Sequence, residues 1–371
     1  MSQESTAPPL RSALVVGTRP EAIKLAPVAR AINASPFFEP HVIVTGQHRE
    51  MLRPLLDVLE FSVYTSLDVM RDRQELSSLT ARLVDCLGET FRRTQPALVV
   101  VQGDTTSTLA GALSAFYERI PVAHVEAGLR SGVKDNPFPE ELNRSLVSRI
   151  ARWHFAPTQC AAEHLLSEGV PPADVVITGN TVIDNLFWAL LKKGGCDHFS
   201  PGYRCILVTL HRRENQGEIM HAMSQALRRL ADRSDIQILL PLHKSPAVRE
   251  VLTPALSNHP RIRLVEPLGY LDFAATLAAC DLVLTDSGGV QEEASALGKP
   301  ILVLRTTTER PEVVDSGGAL LVGTDAGAIV RETAQLLDDP GLYQRMAMAG
   351  NPFGDGHASE RVVAKLISDL S

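Results

Sequence analysis

The sequence predicts an α/β protein made of two doubly wound parallel-sheet domains, and three observations carry that prediction. Short Val/Ile/Leu-rich runs alternate with longer segments of helical spacing, which is the rhythm of strand–helix–strand units. Several runs are apolar without a break, as strands buried on both faces are, the habit of parallel sheets. The chain has 371 residues, too many for one core at about 150 residues per domain.

Taken in order, strands are expected at residues 13–17, 41–45, 97–102, 122–125, 154–156 and 175–178 of the first half. The second half repeats the pattern at 205–210, 236–240, 262–265, 282–285, 301–304 and 319–322. Helical spacing marks 21–33, 76–93, 108–117, 217–229 and 290–297, and 358–370 reads as a terminal helix. Residues 192–202 (KKGGCDHFSPG) are Gly-rich and lack an apolar period, so they are the expected linker. Asn351, Pro352, Gly354 and Gly356 make a second break before the last helix.

Composition removes several classes of function. With 36 basic and 43 acidic residues the net charge is −7, which disfavours sequence-blind binding to nucleic acid or anionic membrane. No apolar run approaches the ~20 residues of a membrane helix. The polar stretch 1–9 has no apolar core of a signal peptide, so a cytoplasmic protein is expected. Five cysteines, odd in number and without a C-x-x-C pair, read as free thiols of a reducing compartment. No metal site is expected: H-E-x-x-H is absent, and His124-Val125-Glu126 lacks the P-C-x-x-C that a zinc deaminase needs.

In open parallel sheets ligands bind beyond the carboxyl ends of the strands. Polar and ionisable groups gather there in both halves: Arg19, Gln47, His48, Asp104, Glu126 and Asn180, then His211, Arg212, His243, Asp286 and Ser287. Gly17-Thr-Arg-Pro-Glu-Ala-Ile-Lys24 joins a strand to a helix N-terminus with Arg19 and Lys24 beside it, a device that suits an anion. Thr285-Asp-Ser-Gly-Gly-Val-Gln-Glu-Glu293 repeats the device, with Ser287, Gly288 and Gly289 placed for a diphosphate and Glu293 for a ribose diol. Asp104 and Glu126 end strands, whereas Glu140 opens a helix after Pro139; such different surroundings separate acid from base roles.

These motifs together resemble the non-hydrolysing UDP-N-acetylglucosamine 2-epimerases. The likeness also runs through Gly46-Gln-His-Arg-Glu-Met-Leu52, Gly103-Asp-Thr-Thr-Ser-Thr108, His124-Val-Glu-Ala-Gly-Leu-Arg130, Pro137-Phe-Pro-Glu-Glu-Leu-Asn-Arg144 and Gly179-Asn-Thr-Val-Ile-Asp184. His211-Arg-Arg-Glu-Asn215 and Thr308-Glu-Arg-Pro-Glu312 complete it, in order, from about residue 13 to 357. The resemblance implies a GT-B-type fold. A first Rossmann-like domain takes residues 11–190 with 355–371, a second takes 191–354, UDP lies in the cleft, and the terminal helix returns to the first domain. It also implies a homodimer that interconverts UDP-GlcNAc and UDP-ManNAc without cofactor or metal. By the same resemblance Asp104, Glu126, Glu140 and His211 match catalytic positions. Arg19, Lys24, Arg130, Asn180, His211, Ser287, Gly288, Gly289, Glu293 and Arg310 match substrate-binding ones. Gln47, His48, Arg73, Arg212 and His243 match a regulatory UDP-GlcNAc site. The sequence departs from the family's usual pattern at Glu50, Lys244, Ser245 and Thr306.

The chemistry explains those residue types. The C2 proton of a GlcNAc ring is not acidic, and no G-x-G-x-x-G is present to bring a dinucleotide oxidant. Expelling UDP from C1 while C2 loses its proton gives 2-acetamidoglucal, and re-addition with protonation on the other face inverts C2. That route requires a base at C2, a second acid on the opposite face and positive charge around the departing diphosphate; the carboxylates can supply the proton transfers, and Arg19, Lys24, His211 and Arg310 the charge.

Overall fold

A computed structural model describes residues 8–46, 49–61, 64–69, 71 and 74–371, with the side chains of 49–51 set aside. The chain divides into two compact units, Met1–Asn185 with Gly354–Ser371, and Leu186–Phe353.

The first unit begins with β1 (Leu10–Val16), α1 (Arg19–Ala34), β2 (Phe38–Val44), α2 (Arg49–Val58), β3 (Tyr64–Ser66) and α3 (Leu76–Thr94). It continues through β4 (Leu98–Gln102), α4 (Thr106–Tyr117), β5 (Val122–Val125), α5 (Glu140–Ile150), β6 (Trp153–Ala156), α6 (Gln159–Ser167) and β7 (Val175–Ile177) into α7 (Thr181–Lys193), within which the boundary between the units falls. Its seven strands lie in the order β3-β2-β1-β4-β5-β6-β7, all parallel. Strand β3 was not expected from the sequence, because Tyr-Thr-Ser is not an apolar run.

The second unit runs β8 (Arg204–Thr209), α8 (Glu218–Ala231), β9 (Ile236–Pro241), α9 (Pro246–Leu256), β10 (Ile262–Val265) and α10 (Tyr270–Ala279). There follow β11 (Leu282–Thr285), α11 (Gly288–Ala296), β12 (Ile301–Val303), α12 (Pro311–Asp315), β13 (Ala319–Leu321), α13 (Ala326–Asp338) and α14 (Pro340–Ala347). Six parallel strands take the order β10-β9-β8-β11-β12-β13. In each sheet the order reverses once, between β1 and β4 and between β8 and β11. Connections leave these strand pairs toward opposite sides, which opens a crevice at their carboxyl ends.

Uninterrupted apolar strands form the cores. In the first unit Leu79, Leu83, Leu87 and Phe91, four residues apart along α3, pack with Val15, Val99 and Val101. In the second, Met220, Met223, Leu227 and Leu230 of α8 and Val248, Leu252 and Leu256 of α9 close over Ile206, Val208, Ile238 and Leu240. The last helix, α15 (Ala358–Leu370), belongs to the first unit. Asp184 caps it by accepting from the Ala358 and Ser359 backbone N–H groups at 3.2 and 2.7 Å, and Trp153 Nε1 donates to Asp369 at 2.8 Å. No helix among the described residues is long and apolar enough to cross a membrane, and the five cysteines are free.

Two histidines lie side by side in the first sheet, His124 on β5 opposite His154 on β6. His124 donates from Nε2 to the Gly103 carbonyl at 2.7 Å, and neither Nδ1 has a hydrogen-bond partner. Burial pushes His124 down to about 3 and His154 to about 4. Both are therefore neutral in the fold, whereas the unfolded chain protonates them from about pH 6.5 downward. Stability held by the neutral form is complete above pH 6.5 and drains as pH falls toward the folded values. Between pH 6.5 and 4 the native protein should lose about 1.4 kcal/mol per pH unit more than a His154→Gln variant, each measured against its own value at pH 7 by urea unfolding. Parallel pH dependences would show that His154 plays no such part.

Candidate active site

At the first switch point β1 turns into α1 through Gly17 and Thr18. A Cβ on Gly17 would lie 2.3 Å from Ser107 Oγ, so the close approach of α4 admits only glycine there. The turn is held by Glu21, buried in the first turn of α1. Its carboxylate accepts from the backbone N–H of Gly17 at 2.8 Å and of Thr18 at 2.5 Å. It also accepts from the hydroxyls of Thr105 at 2.6 Å and Thr108 at 2.9 Å. Burial raises the Glu21 pKa while those donors pull it back, and the net direction is upward. One carboxylate thus ties the end of β1 to the loop after β4.

That loop carries Asp104, which follows Gly103. Arg144 of α5 ion-pairs with the Asp104 carboxylate, and Asn143 Nδ2 donates to the Asp104 carbonyl at 2.9 Å. Burial lifts Asp104 above its ordinary pKa; Arg144 opposes, and the charges of Glu126 and Glu140 add to the rise. The other two carboxylates singled out in the sequence therefore lie within electrostatic reach of Asp104. Glu126 ends β5 in a left-handed conformation, φ +62°, which costs a non-glycine residue energy and is found where a side chain must be aimed. It is buried and accepts from Lys24 Nζ, from Gln102 Nε2 and, at 3.1 Å, from Asn180 Nδ2. Lys24, Glu126 and Asn180 are thereby in direct contact. Glu140 opens α5, half-buried, and Arg19 opens α1. Arg130 turns elsewhere: its guanidinium pairs with Glu168 at 2.7 Å and reaches Ser148 at 3.0 Å. Gln47, His48 and Arg73 lie outside the described residues.

At the second switch point His211 follows β8 and Asp286 follows β11. Nδ1 of His211 meets Asp286 Oδ1 at 2.9 Å, and the His211 and His243 rings lie 5.8 Å apart. His243 is held below its usual range by partial burial and then by His211, opposed by Asp286. Arg212 forks onto Glu309 at 3.3 and 3.2 Å. Ser287 precedes α11, whose first turn presents Gly288 and Gly289. Apart from its chain neighbours and its own helix backbone, no heavy atom of the described residues lies within 4 Å of a Cβ built on Gly289, so packing among them does not require glycine there. Farther along α11, Glu293 is buried and accepts from the Tyr270 hydroxyl at 3.2 Å, while Glu292 ion-pairs with Arg310. Among the described residues no cluster of three or more His, Cys, Asp or Glu side chains has the grouping to hold a metal ion.

The family model described as UDP-N-acetylglucosamine 2-epimerase matches residues 30–367. The chain belongs to this family. A UDP-N-acetylglucosamine 2-epimerase of Bacillus subtilis is 46% identical over 363 residues, which cover 96% of this chain and 95% of that one. Among solved structures, the epimerase of Neisseria meningitidis bound to UDP-GlcNAc superposes with a TM-score of 0.90 at 40% identity, covering 97% of this chain and all of that one. The Methanocaldococcus jannaschii enzyme in complex with UDP-GlcNAc and UDP gives 0.80 at 33%, with 97% and 100% coverage. The two Rossmann-like parallel sheets are thus those of the UDP-N-acetylglucosamine 2-epimerase family.

Several supporting side chains were not singled out in advance. Glu21 had a visible signal, the Thr18-x-x-Glu21 spacing of a capping box. Gln102, Arg144 and Glu292 had none, because each acquires its partner from a distant segment. Glu21→Gln leaves one amide oxygen to meet four donors. Unpaired buried donors cost about 1–3 kcal/mol each, so urea unfolding should show a loss of about 2 kcal/mol or more. A change within about 0.5 kcal/mol, the range of a neutral surface substitution, would contradict this reading of Glu21.

Proposed function

We propose that this protein interconverts UDP-GlcNAc and UDP-ManNAc in the cytoplasm by eliminating and re-adding UDP through 2-acetamidoglucal, as a source of ManNAc units for surface polysaccharide. Family membership supports the substrate, and relatives in the same family are solved with UDP-GlcNAc and with UDP. The observation that carries the mechanism is the electrostatic cluster of Asp104, Glu126 and Glu140 at the carboxyl ends of β4 and β5 and the start of α5. Proton removal and return at the two faces of C2 fall to this set. Asp104 is the group best suited to carry the proton, since burial and two neighbouring carboxylates favour its protonated form while Arg144 keeps its ionised form accessible. Lys24, Gln102 and Asn180 orient Glu126.

The diphosphate draws on the N-terminus of α11. Ser287, Gly288 and Gly289 offer backbone N–H groups there, and the open space over Gly289 admits phosphate oxygens. Arg19, Arg310 and His211 supply the charge that grows in importance as the C1–O bond breaks and its electron pair passes to the β-phosphate oxygen. Glu293, fixed by Tyr270, accepts from the ribose diol.

Incubation with UDP-GlcNAc alone, followed by NMR, tests the reading. UDP-ManNAc should form, activity should survive EDTA and removal of nicotinamide nucleotides, and product formed in deuterated water should carry deuterium at C2. Retention of the original C2 proton, or a strict need for a metal or NAD, sinks the elimination route; free ManNAc as product marks a hydrolysing enzyme.

Asp104→Asn, Glu126→Gln and Glu140→Gln keep shape but not proton transfer, so turnover should drop by roughly 10²–10⁴-fold; thermal stability should change little in Glu140→Gln and fall in Glu126→Gln and Asp104→Asn, which leave Lys24 and Arg144 without their carboxylates. A variant that lacks the group for only one face should still release the glycal slowly. If all three keep more than about a tenth of wild-type turnover, the carboxylates are structural.

A further inference from the structure

Asp286 is a fully buried carboxylate whose two oxygens are saturated from one short segment. Oδ1 meets Nδ1 of His211 at 2.9 Å and the His211 backbone N–H at 3.1 Å. Oδ2 accepts from the backbone N–H groups of His211 and Arg212, both at 3.0 Å, and from Asn215 Nδ2 at 3.1 Å. Each donor is itself anchored. Asn215 also donates to the Leu304 carbonyl at 3.2 Å, and Arg212 Nε donates to the Asp286 carbonyl at 3.2 Å while its guanidinium holds Glu309. The His211-Arg-Arg-Glu-Asn215 run therefore wraps one buried carboxylate. Burial alone pushes Asp286 upward, but the His211 ring and the N–H groups of Arg212 and His211 hold it below the usual carboxylate range. An ionised carboxylate only accepts, so Nδ1 of His211 carries the hydrogen and Nε2 is the nitrogen left to meet a ligand.

We propose that Asp286 is a positioning residue that acts through His211, locking the imidazole in its Nδ1–H tautomer and in the orientation that presents Nε2 to the departing diphosphate. This rests on the reading that His211 serves the leaving group. When the C1–O bond breaks, the electron pair goes to the β-phosphate oxygen; the ring, having taken a solvent proton on Nε2 as the diphosphate binds, gives that oxygen a hydrogen bond from Nε2, and the anion of Asp286 balances the positive ring. The same ring is approached by His243, which follows β9, at 5.8 Å between centroids. Without the carboxylate nothing fixes which ring nitrogen carries the hydrogen, and either tautomer becomes available. Asp286 thus does for His211 what a buried carboxylate does for a histidine ligand or base elsewhere: it sets ring orientation and tautomer together.

Two measurements decide it. In wild-type protein carrying ¹⁵N-histidine, two-bond ¹⁵N–¹H correlations report the tautomer of His211 in its neutral form. Hydrogen on Nδ1 is expected, and hydrogen on Nε2 overturns the proposal whether or not any variant folds. The second is kinetic, with Asp286→Asn, His211→Ala and the double variant assayed by UDP-GlcNAc turnover and UDP affinity. Asp286→Asn should lower kcat roughly 10- to 100-fold, the range typical of losing a histidine-orienting carboxylate, with UDP affinity changed far less. The double variant should lose no more than His211→Ala alone, because residues acting as a unit are not additive. Additive losses, or wild-type kcat in Asp286→Asn, place Asp286 outside the path through His211. If wild-type protein leaves UDP-GlcNAc unconverted, the reaction assignment fails instead, and the tautomer still reports separately on the Asp286–His211 contact.

Discussion

Each sheet of this protein is held at its switch point by one buried carboxylate. A doubly wound sheet must let two adjacent strands end with their chains departing to opposite sides, and that leaves backbone N–H groups with no ladder to join. In the first unit Glu21 collects the N–H groups of Gly17 and Thr18 and the hydroxyls of Thr105 and Thr108. In the second, Asp286 collects the N–H groups of His211 and Arg212 together with the His211 ring and Asn215. The two solutions differ in charge. Glu21 meets neutral donors and its pKa rises, whereas Asp286 faces an imidazole and its pKa falls. The first is scaffold; the second reaches into chemistry.

What these anchors position is costly to assemble. Asp104 is half-buried within electrostatic reach of two other carboxylates, and Glu126 adopts a backbone conformation that non-glycine residues avoid. Arrangements of that kind persist only where the surroundings over-determine them. Here the surroundings are Lys24, Gln102 and Asn180 around Glu126, and Arg144 with Asn143 around Asp104. Each comes from a helix, a strand or a strand-end loop of the same unit, so the acidic cluster rests on rigid elements. The neutral pair His124 and His154 lies in the adjacent strands β5 and β6, with His124 bonded to the Gly103 carbonyl.

Sequence and structure can be compared element by element. Predicted strands at 122–125, 262–265 and 282–285 coincide with β5, β10 and β11, and the terminal helix spans 358–370 as expected. Those segments are short runs rich in Val, Ile and Leu, or a clean helical period, flanked by turn residues, so local chemistry suffices. Strand β3 was hidden, since Tyr64–Ser66 joins the sheet only by pairing with β2. Starts of helices were read late by about two residues where the first turn is polar, as at Arg19, Thr106 and Gly288, because capping residues show no apolar face. The carboxylates Asp104, Glu126 and Glu140 were legible because each stands where an element ends or begins. Arg144, Gln102 and Glu292 were not, although Arg144 and Glu292 sit in the same motifs and Gln102 directly precedes one.

The sequence by itself determined the fold class, the alternation of strand and helix, the family and the residue types available at each strand end. Those follow from periodicity and from the short-range chemistry of turns, which travel with the chain. Only the tertiary structure decided who meets whom. It places Lys24 against Glu126, 102 residues away, rather than leaving it as a solvated charge, and sends Arg130 to Glu168 and Ser148. It also makes Asp286 the partner of His211, 75 residues before it. Such pairings arise because parallel strands bring distant loops to one edge, and a buried carboxylate cannot stay there without the donors that edge supplies.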